Sequence, residues 1–533
     1  MVKRKIAVIM IFFLIGVGFL GGCSWFGSKS GPKYLRYAVG AEPETIDPRK
    51  STSLAASTVE GQIFEGLTAM DGDNKIVPAA AERWEVSPDG LKYVFYLRPG
   101  AKWSNGEPVT AQDFEFAWKS TLSPELASSY AYQLFYLKNG EAYNTKKATA
   151  DQVGVKAIGD SVLEVVLEKP TPYFLSLTAF HTYYPVNQKL AANGKWASDP
   201  KTIVGNGPFK LVNWVHDNKM EFVKNENYWD VAKVRMAKLD FILVDSTSTV
   251  LTMFENGQLD MAENLPTTEI PRLLKEGKLK IFPFLATYYY TFNVSQPPFD
   301  NPKVRKAFSL AIDRQSIINR ILQAEQKPAQ ALVPFGLPDT SAGEDFRVKG
   351  GDYFKDNDVE AAKKLLTEAG YPEGRGLPPV TLLYNTSESH KMIAEAVQEM
   401  WKKNLGVTVQ LSNQEWKVFL DNLDKRNYQV ARDSWIGDYA DAMTFIDLFE
   451  SEGGNNTPGY KNPAYDALVN TAKGSADQAV RVAAMHQAEK MLLDDAVVAP
   501  IYFYTNPVLV KDSVKGYARS ILGTVYFKEA YIE

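Results

Sequence analysis

A helix-periodic segment runs straight into a strand-periodic one at residues 390–411, and few architectures accommodate that junction. In "HKMIAEAVQEMWKKNLG", Ile393, Ala396, Val397 and Met400 recur on one face of a 3.6-residue period, and Gly406 stops the pattern. "VTVQL" (407–411) then alternates with period two, as a half-buried strand does. Helix followed directly by strand argues for an α/β fold. The rest of the chain alternates likewise. Residues 93–103 read as a strand ending in a Pro-Gly turn, after which Thr110 caps a helix carrying Phe114, Ala117 and Trp118. Asn301 caps a helix with Pro302 in its first turn and Val304, Ala307, Phe308 and Ala311 on one face. Asp358 caps another, with Ala362, Leu365, Leu366 and Ala369 inward and Gly370 and Pro372 as its stop. There is no internal repeat and no low-complexity tract.

The N-terminus sets the compartment. Lys3, Arg4 and Lys5 precede an apolar run from Ile6 to Leu20, which ends in Leu20-Gly21-Gly22-Cys23. This is the layout of a signal peptide, residues 1–22, and the run is short of the ~20 apolar residues a membrane span needs. The last four residues resemble the bacterial lipobox, in which the cysteine is lipidated and becomes the new N-terminus. Cys23 is the single cysteine in the chain, so an internal disulfide is ruled out. An ordinary secretory cut beside a chance cysteine is the alternative. Residues 23–33, rich in Ser, Gly and Lys, read as a flexible tether. The formal net charge of −4 supplies no field for a polyanion, so nucleic acid is not an expected partner. Aromatic residues make up 12% of the chain, which hints at a cleft that holds something by stacking and apolar contact.

Motifs for catalysis are missing. The four histidines lie far apart in sequence with no HExxH, no G-x-S-x-G elbow occurs, and no phosphate loop follows Gly205-Asn206-Gly207-Pro208. One stretch does demand an explanation. "WIGDYADAMTF" sets Asp438 and Asp441 three apart among Trp435, Tyr439 and Phe445. Carboxylates among aromatics are costly to desolvate unless something positive meets them. Their spacing is not that of a calcium loop, and a spacing of three fixes no separation for glycoside hydrolysis. Either aspartate could also cap a helix starting near Ala440. For Asp441 that is the favoured reading, because Ala442, Phe445, Ile446 and Phe449 look like a helix face just after it.

Five stretches together resemble the extracellular oligopeptide-binding proteins of ABC importers, the family 5 solute-binding proteins. They are "FYLRPGAKWSNGEPVTAQDFEFAW", "VGNGPFKL", "NENYWD", "FNVSQPPFDNPKVRKAFSLAIDR" and "WIGDYADAMTFIDLFESEGGNNTPGY", in the family's order from about Tyr34 onward. The resemblance implies a two-lobed, periplasmic-binding-protein-like α/β fold of type II with an extra domain and a ligand cleft between the lobes. Domain I would comprise residues 34–63, 188–289 and 506–533, domain II 64–187 and domain III 290–505, with hinge crossings near Tyr289 and Thr505. It further implies an oligopeptide ligand, an ABC permease as membrane partner, a monomer held on the outer face of the cell membrane through Cys23, and neither enzyme activity, cofactor nor metal. A dipeptide, a signalling peptide or another small solute is the alternative ligand.

By the same resemblance, Asp438 pairs with the peptide's α-amino group. Arg432 receives the peptide carboxylate or, alternatively, makes a structural ion pair. His390 serves carboxylates of other peptide lengths or is a surface histidine in a helix's first turn. Trp416 and Trp435 wall side-chain pockets or belong to the core. Tyr504 lies by the hinge, Tyr130 or Tyr132 reaches in from the opposite lobe, and Glu42 lies near the ligand's N-terminus. Two departures stand out. Some members have a disulfide cysteine where this chain has Ile436, and some have a second carboxylate-binding arginine where it has Leu423, leaving Lys425 and Arg426 as substitutes.

Overall fold

Two strands much longer than the others organise the molecule: Leu279–Phe292, of 14 residues, and Val498–Val510, of 13. The computed structural model describes residues 34–533 except 41, 73, 192 and 342. The expected signal peptide, lipidated Cys23 and tether therefore lie outside the described residues. The two long strands pair antiparallel along their length. From Leu285 to Phe292 every residue is buried, on both faces of the pleat, which is why "LATYYYTF" is continuously apolar, aromatic or β-branched instead of alternating. The expected crossings, Tyr289 and Thr505, both lie on this pair of strands.

The pair sits mid-way in an eleven-stranded mixed sheet. On one side Leu279–Phe292 is followed by Val430–Ile436, Val380–Asn385 and Val409–Gln414. On the other, Val498–Val510 is followed by Met261–Ala262, Leu35–Gly40 and Lys238–Leu243, then by Lys219–Lys224 and Phe209–Val215. Residues near the two ends of the chain thus share one sheet. A separate antiparallel sheet comprises Ala81–Val86, Lys92–Leu97, Val162–Val166 and Val155–Ile158. Helix Ala111–Leu122 packs its buried Phe114, Ala117 and Trp118 into the core beside this sheet.

The expected helix signals act as their chemistry dictates. Asp113 Oδ2 accepts from the Thr110 backbone N–H at 2.9 Å and from its hydroxyl, closing a capping box. Asn301 and Asp358 accept from the first-turn amides of Lys303 and Ala361. Helix Glu388–Leu405 ends on Gly406 at φ 71°, the left-handed cap that glycine adopts without strain. Its buried face differs from the expected one: Ala394 and Trp401 are inside with Ile393 and Val397, while Ala396 and Met400 are only partly covered. The following strand begins at Val409, two residues later than the alternation suggests. Among the described residues no helix is long and apolar enough to cross a membrane.

Candidate functional site

A cavity of about 510 Å³ opens between the segment holding Tyr130 and His181 and the segment holding Trp416, Trp435 and Asp438. That size suits a small ligand. Strand Val430–Ile436 forms one wall and hands over to the loop that carries Asp438.

Asp438 is only 6% exposed. Its carboxylate accepts from Gln133 Nε2 at 2.6 Å, from the Tyr130 hydroxyl at 3.2 Å and from the Tyr132 hydroxyl at 3.4 Å. All three donors are neutral and come from one short stretch, residues 130–133, of which Tyr130 lines the cavity. Its own backbone N–H donates to Thr444 Oγ1 at 3.0 Å, which fixes the loop. Burial pushes the carboxyl up to about 7, and the nearby Asp447 charge adds to that, while the three hydrogen bonds oppose it. The group is thus a buried carboxylate supplied with hydrogen bonds but with no ion pair among the described residues.

Asp441 has a different surrounding. Its carboxylate meets Arg481 Nη2 at 2.9 Å, and Oδ1 also accepts from the Met443 backbone N–H at 3.0 Å. The second contact starts a single helical turn, Met443–Ile446, with Ala442, Phe445, Ile446 and Phe449 all buried. The helix is shorter than the apolar face suggests. Arg481, forty residues away on helix Gln478–Asp494, is a partner that nothing in the local sequence announces.

Arg432 lines the cavity and is buried, yet among the described residues it meets no carboxylate. It donates to the Tyr504 hydroxyl at 3.0 Å and to Asn385 Oδ1 at 3.4 Å, lies 4.9 Å from the Tyr288 ring centre, and leaves Nε unpartnered. The structural ion pair offered as its alternative is not formed among the described residues. Tyr504 is placed behind Arg432, tilted against the Tyr502 ring and edge-on to Phe284, and does not itself line the cavity.

His390 also lies outside the lining. It stands 5.7 Å from the Tyr288 ring, and burial first, then the Arg432 charge, push its imidazole well below its ordinary value. At neutral pH it is uncharged. Trp416 lines the cavity at 49% exposure and stacks on Phe419, and Trp435 lines it half-buried, so Trp416 is not a core residue. Tyr130 lines the same cavity, whereas Tyr132 reaches Asp438 from the side.

Glu42 is elsewhere. It accepts from His216 Nδ1 at 2.7 Å and from the Asp217 backbone at 2.9 Å, and it does not line the cavity. Glu44 is the acid nearer the cleft: it accepts from the backbone N–H groups of the lining residues Thr52 and Ser53. Leu423 and Ile436 line the cavity as apolar wall. Neither proposed substitute for the missing arginine faces it. Lys425 pairs with Asp421 at 2.7 Å, and Arg426 donates to the Asn456 carbonyl at 3.0 Å. Sequence reasoning missed Gln133, whose signal is its place beside Tyr130 and Tyr132, and Asp433, which adjoins Arg432 on the wall strand.

The bacterial extracellular solute-binding proteins, family 5, have a sequence profile that matches residues 75–457. The chain is 42% identical over 547 residues to the oligopeptide-binding protein OppA of Bacillus subtilis, covering 99% of each. It is 40% identical to the dipeptide-binding protein DppE of the same organism, covering 94% of this chain and 92% of that one. The solved structure of Listeria monocytogenes OppA bound to peptide superposes with a TM-score of 0.85 at 32% identity, covering 94% of this chain and 99% of that one. The fold is the two-lobed one of these proteins, and the chain belongs to the bacterial extracellular solute-binding proteins of family 5.

Proposed function

We propose that this chain is a lipid-anchored extracellular receptor that binds oligopeptides in the cleft and delivers them to an ABC permease. The observation that carries the reading is the state of Asp438: buried, given three neutral hydrogen bonds, and without a cation. A buried carboxylate of this kind is incomplete until a charge of opposite sign enters. A peptide's α-ammonium supplies it, as a charge-assisted hydrogen bond in a site shielded from water. The related proteins of B. subtilis and L. monocytogenes, named for oligopeptides and dipeptides or bound to peptide, support the same ligand class.

At the other end, Arg432 is a buried cation without a carboxylate, suited to the peptide's C-terminal group. A receptor for many sequences grips what all peptides share, the terminal charges and the main chain, and leaves room for side chains. Domains I, II and III would follow the division at residues 64, 188, 290 and 506. Closure would be a hinge motion of the two long strands near Tyr289 and Thr505. Cys23 would carry the lipid, and the receptor would act as a monomer without cofactor, metal or catalysis.

Native mass spectrometry of the purified soluble domain tests the reading. Copurified peptides of three or more residues are the expected result. Dipeptides alone would move the assignment to the dipeptide alternative, and a non-peptide solute would overturn it. A Cys23→Ser chain recovered in the membrane fraction would refute the lipid anchor.

A further inference from the structure

Four charged residues line the cavity among the described residues: Asp424, Arg432, Asp433 and Asp438. If Asp438 takes the ligand's α-ammonium and Arg432 its carboxylate, two aspartates are left over. Asp433 is the better placed. Side chains alternate along strand Val430–Ile436, so Arg432 and Asp433 face opposite sides of the sheet. Arg432 is turned towards Tyr288 and Tyr504. Asp433 shares its side with Ala431, which packs against Phe419 and Leu423 of helix Trp416–Asp424.

The Asp433 carboxylate is half-buried. Oδ1 accepts from the backbone N–H of the next residue, Ser434, at 2.8 Å, and Oδ2 accepts from the Thr457 hydroxyl at 3.4 Å. It makes no ion pair among the described residues. Burial pushes it up to about 6, opposed by the Ser434 amide, the Arg432 charge and the Thr457 and Tyr289 hydroxyls. Trp416, Phe419 and Leu423 line the same cavity as this acid, with Asp424 at the end of the same helix. A wall that combines apolar surface with a carboxylate matches one side-chain shape: a long aliphatic stem with a cationic tip. An apolar ligand side chain would leave Asp433 desolvated and unpaired.

We propose that Asp433 is a specificity-determining residue that receives a lysine or arginine side chain of the bound peptide, so that the receptor prefers basic peptides over neutral isosteres. This rests on the peptide-receptor reading above and extends it to a substrate class.

Isothermal titration calorimetry with tetra-alanine, and with tetra-alanine carrying lysine or norleucine at the second, third or fourth position, tests it. Norleucine keeps the stem and removes the charge. The expected result is that lysine binds about tenfold or more tighter than norleucine at one position. That preference falls to parity in Asp433→Asn. Equal binding of lysine and norleucine peptides by the native protein overturns the proposal without recourse to a variant. So does a lysine preference that survives Asp433→Asn, which would point to Asp424. If tetra-alanine binds and lysine confers nothing, only the specificity proposal falls. If no peptide binds, the receptor reading falls and takes this one with it.

Discussion

Gln133 and Asp438 lie 305 residues apart in the chain and meet at 2.6 Å, amide to carboxylate, beside the cavity. The contact joins the two walls at the point where the ligand's amino terminus is proposed to dock. Replacing Asp438 by Asn keeps the shape and the hydroxyl partners but removes the charge. Peptide affinity is expected to fall by about 2–3 kcal/mol, roughly a hundredfold in Kd. Thermal unfolding of the free protein should not be lowered, because a buried, uncompensated carboxylate has been removed. Calorimetry of a tetrapeptide against both proteins checks the first half, and a melting curve checks the second.

The same carboxylate gives binding a pH profile. Burial raises the Asp438 pKa from its ordinary 3.8 to about 7. In the free protein the fold favours the protonated form. Its stability contribution is present below the unfolded value and is lost as pH rises through about 7. Ligand binding has the opposite slope, since the ammonium needs the ionised form. Affinity should drop by about tenfold per unit below pH 7, and should also drop above about pH 8 as the peptide's α-amine loses its proton. Asp433 and Asp447, both pushed up to about 6, add a shallower step at lower pH. Titrations across that range should show a maximum between 7 and 8, and Asp438→Asn should lack the step near 7.

Asp441 should behave as a structural residue. Its partner Arg481 is 1% exposed, so Asp441→Ala leaves a guanidinium buried without its counter-charge. A loss of about 3–5 kcal/mol in unfolding free energy is expected. Combining Asp441→Leu with Arg481→Met should restore a large part of it, because neither charge is then left alone. Denaturant titration of the single and double variants measures both. Peptide affinity of the folded fraction should be unchanged, in contrast to Asp438.

What could be read from the sequence follows from how local each signal is. Thr110, Asn301 and Asp358 were legible as caps because a cap's chemistry is complete within three residues. The helix-to-strand change at Gly406 was legible from its periods, and with it the α/β class. Ala394 and Trp401 were not assigned to the buried face because Trp401 is drawn inward by a tertiary partner, its Nε1–H donating to the Phe308 carbonyl at 2.8 Å. Arg481 and Gln133 were invisible for the same reason: their partners are 40 and 305 residues away. Glu42 and Glu44 illustrate the limit at the site. Two acids in one short turn are equivalent in sequence, and only the position of His216 decides which one turns from the cleft.

The "GNG" stretch was set aside as a phosphate loop, and packing explains its glycines. A Cβ on Gly205 would stand 1.8 Å from the Ile63 carbonyl oxygen, and one on Gly207 would stand 2.7 Å from Phe64 N. Between them, Asn206 exchanges a pair of hydrogen bonds with the Glu65 backbone, each 2.9 Å. The obstacle is main chain and cannot swing away. Gly205→Ala is expected to destabilise the fold by about 3 kcal/mol. Denaturant unfolding of this variant, with Asn218→Ala on an exposed turn as control, measures the cost.

Arg432 yields the sharpest test of how the ligand's far end is held. A buried guanidinium with an unpartnered Nε and, among the described residues, no carboxylate within an ion-pair distance is as incomplete as Asp438 is at the near end. Because His390 is uncharged, the positive charge available to a ligand carboxylate resides on Arg432. A peptide with a free C-terminus should therefore bind the native protein more tightly than its C-terminal amide, by about 1.5–3 kcal/mol. Arg432→Met retains much of the stem packing over Tyr288 and removes the charge. It should bring the acid and the amide to parity, mainly by weakening the acid. Calorimetry of the two peptides against the two proteins completes a double cycle. A coupling near zero would assign Arg432 to the tyrosine cluster alone, whereas a coupling of the expected size places the carboxylate on it.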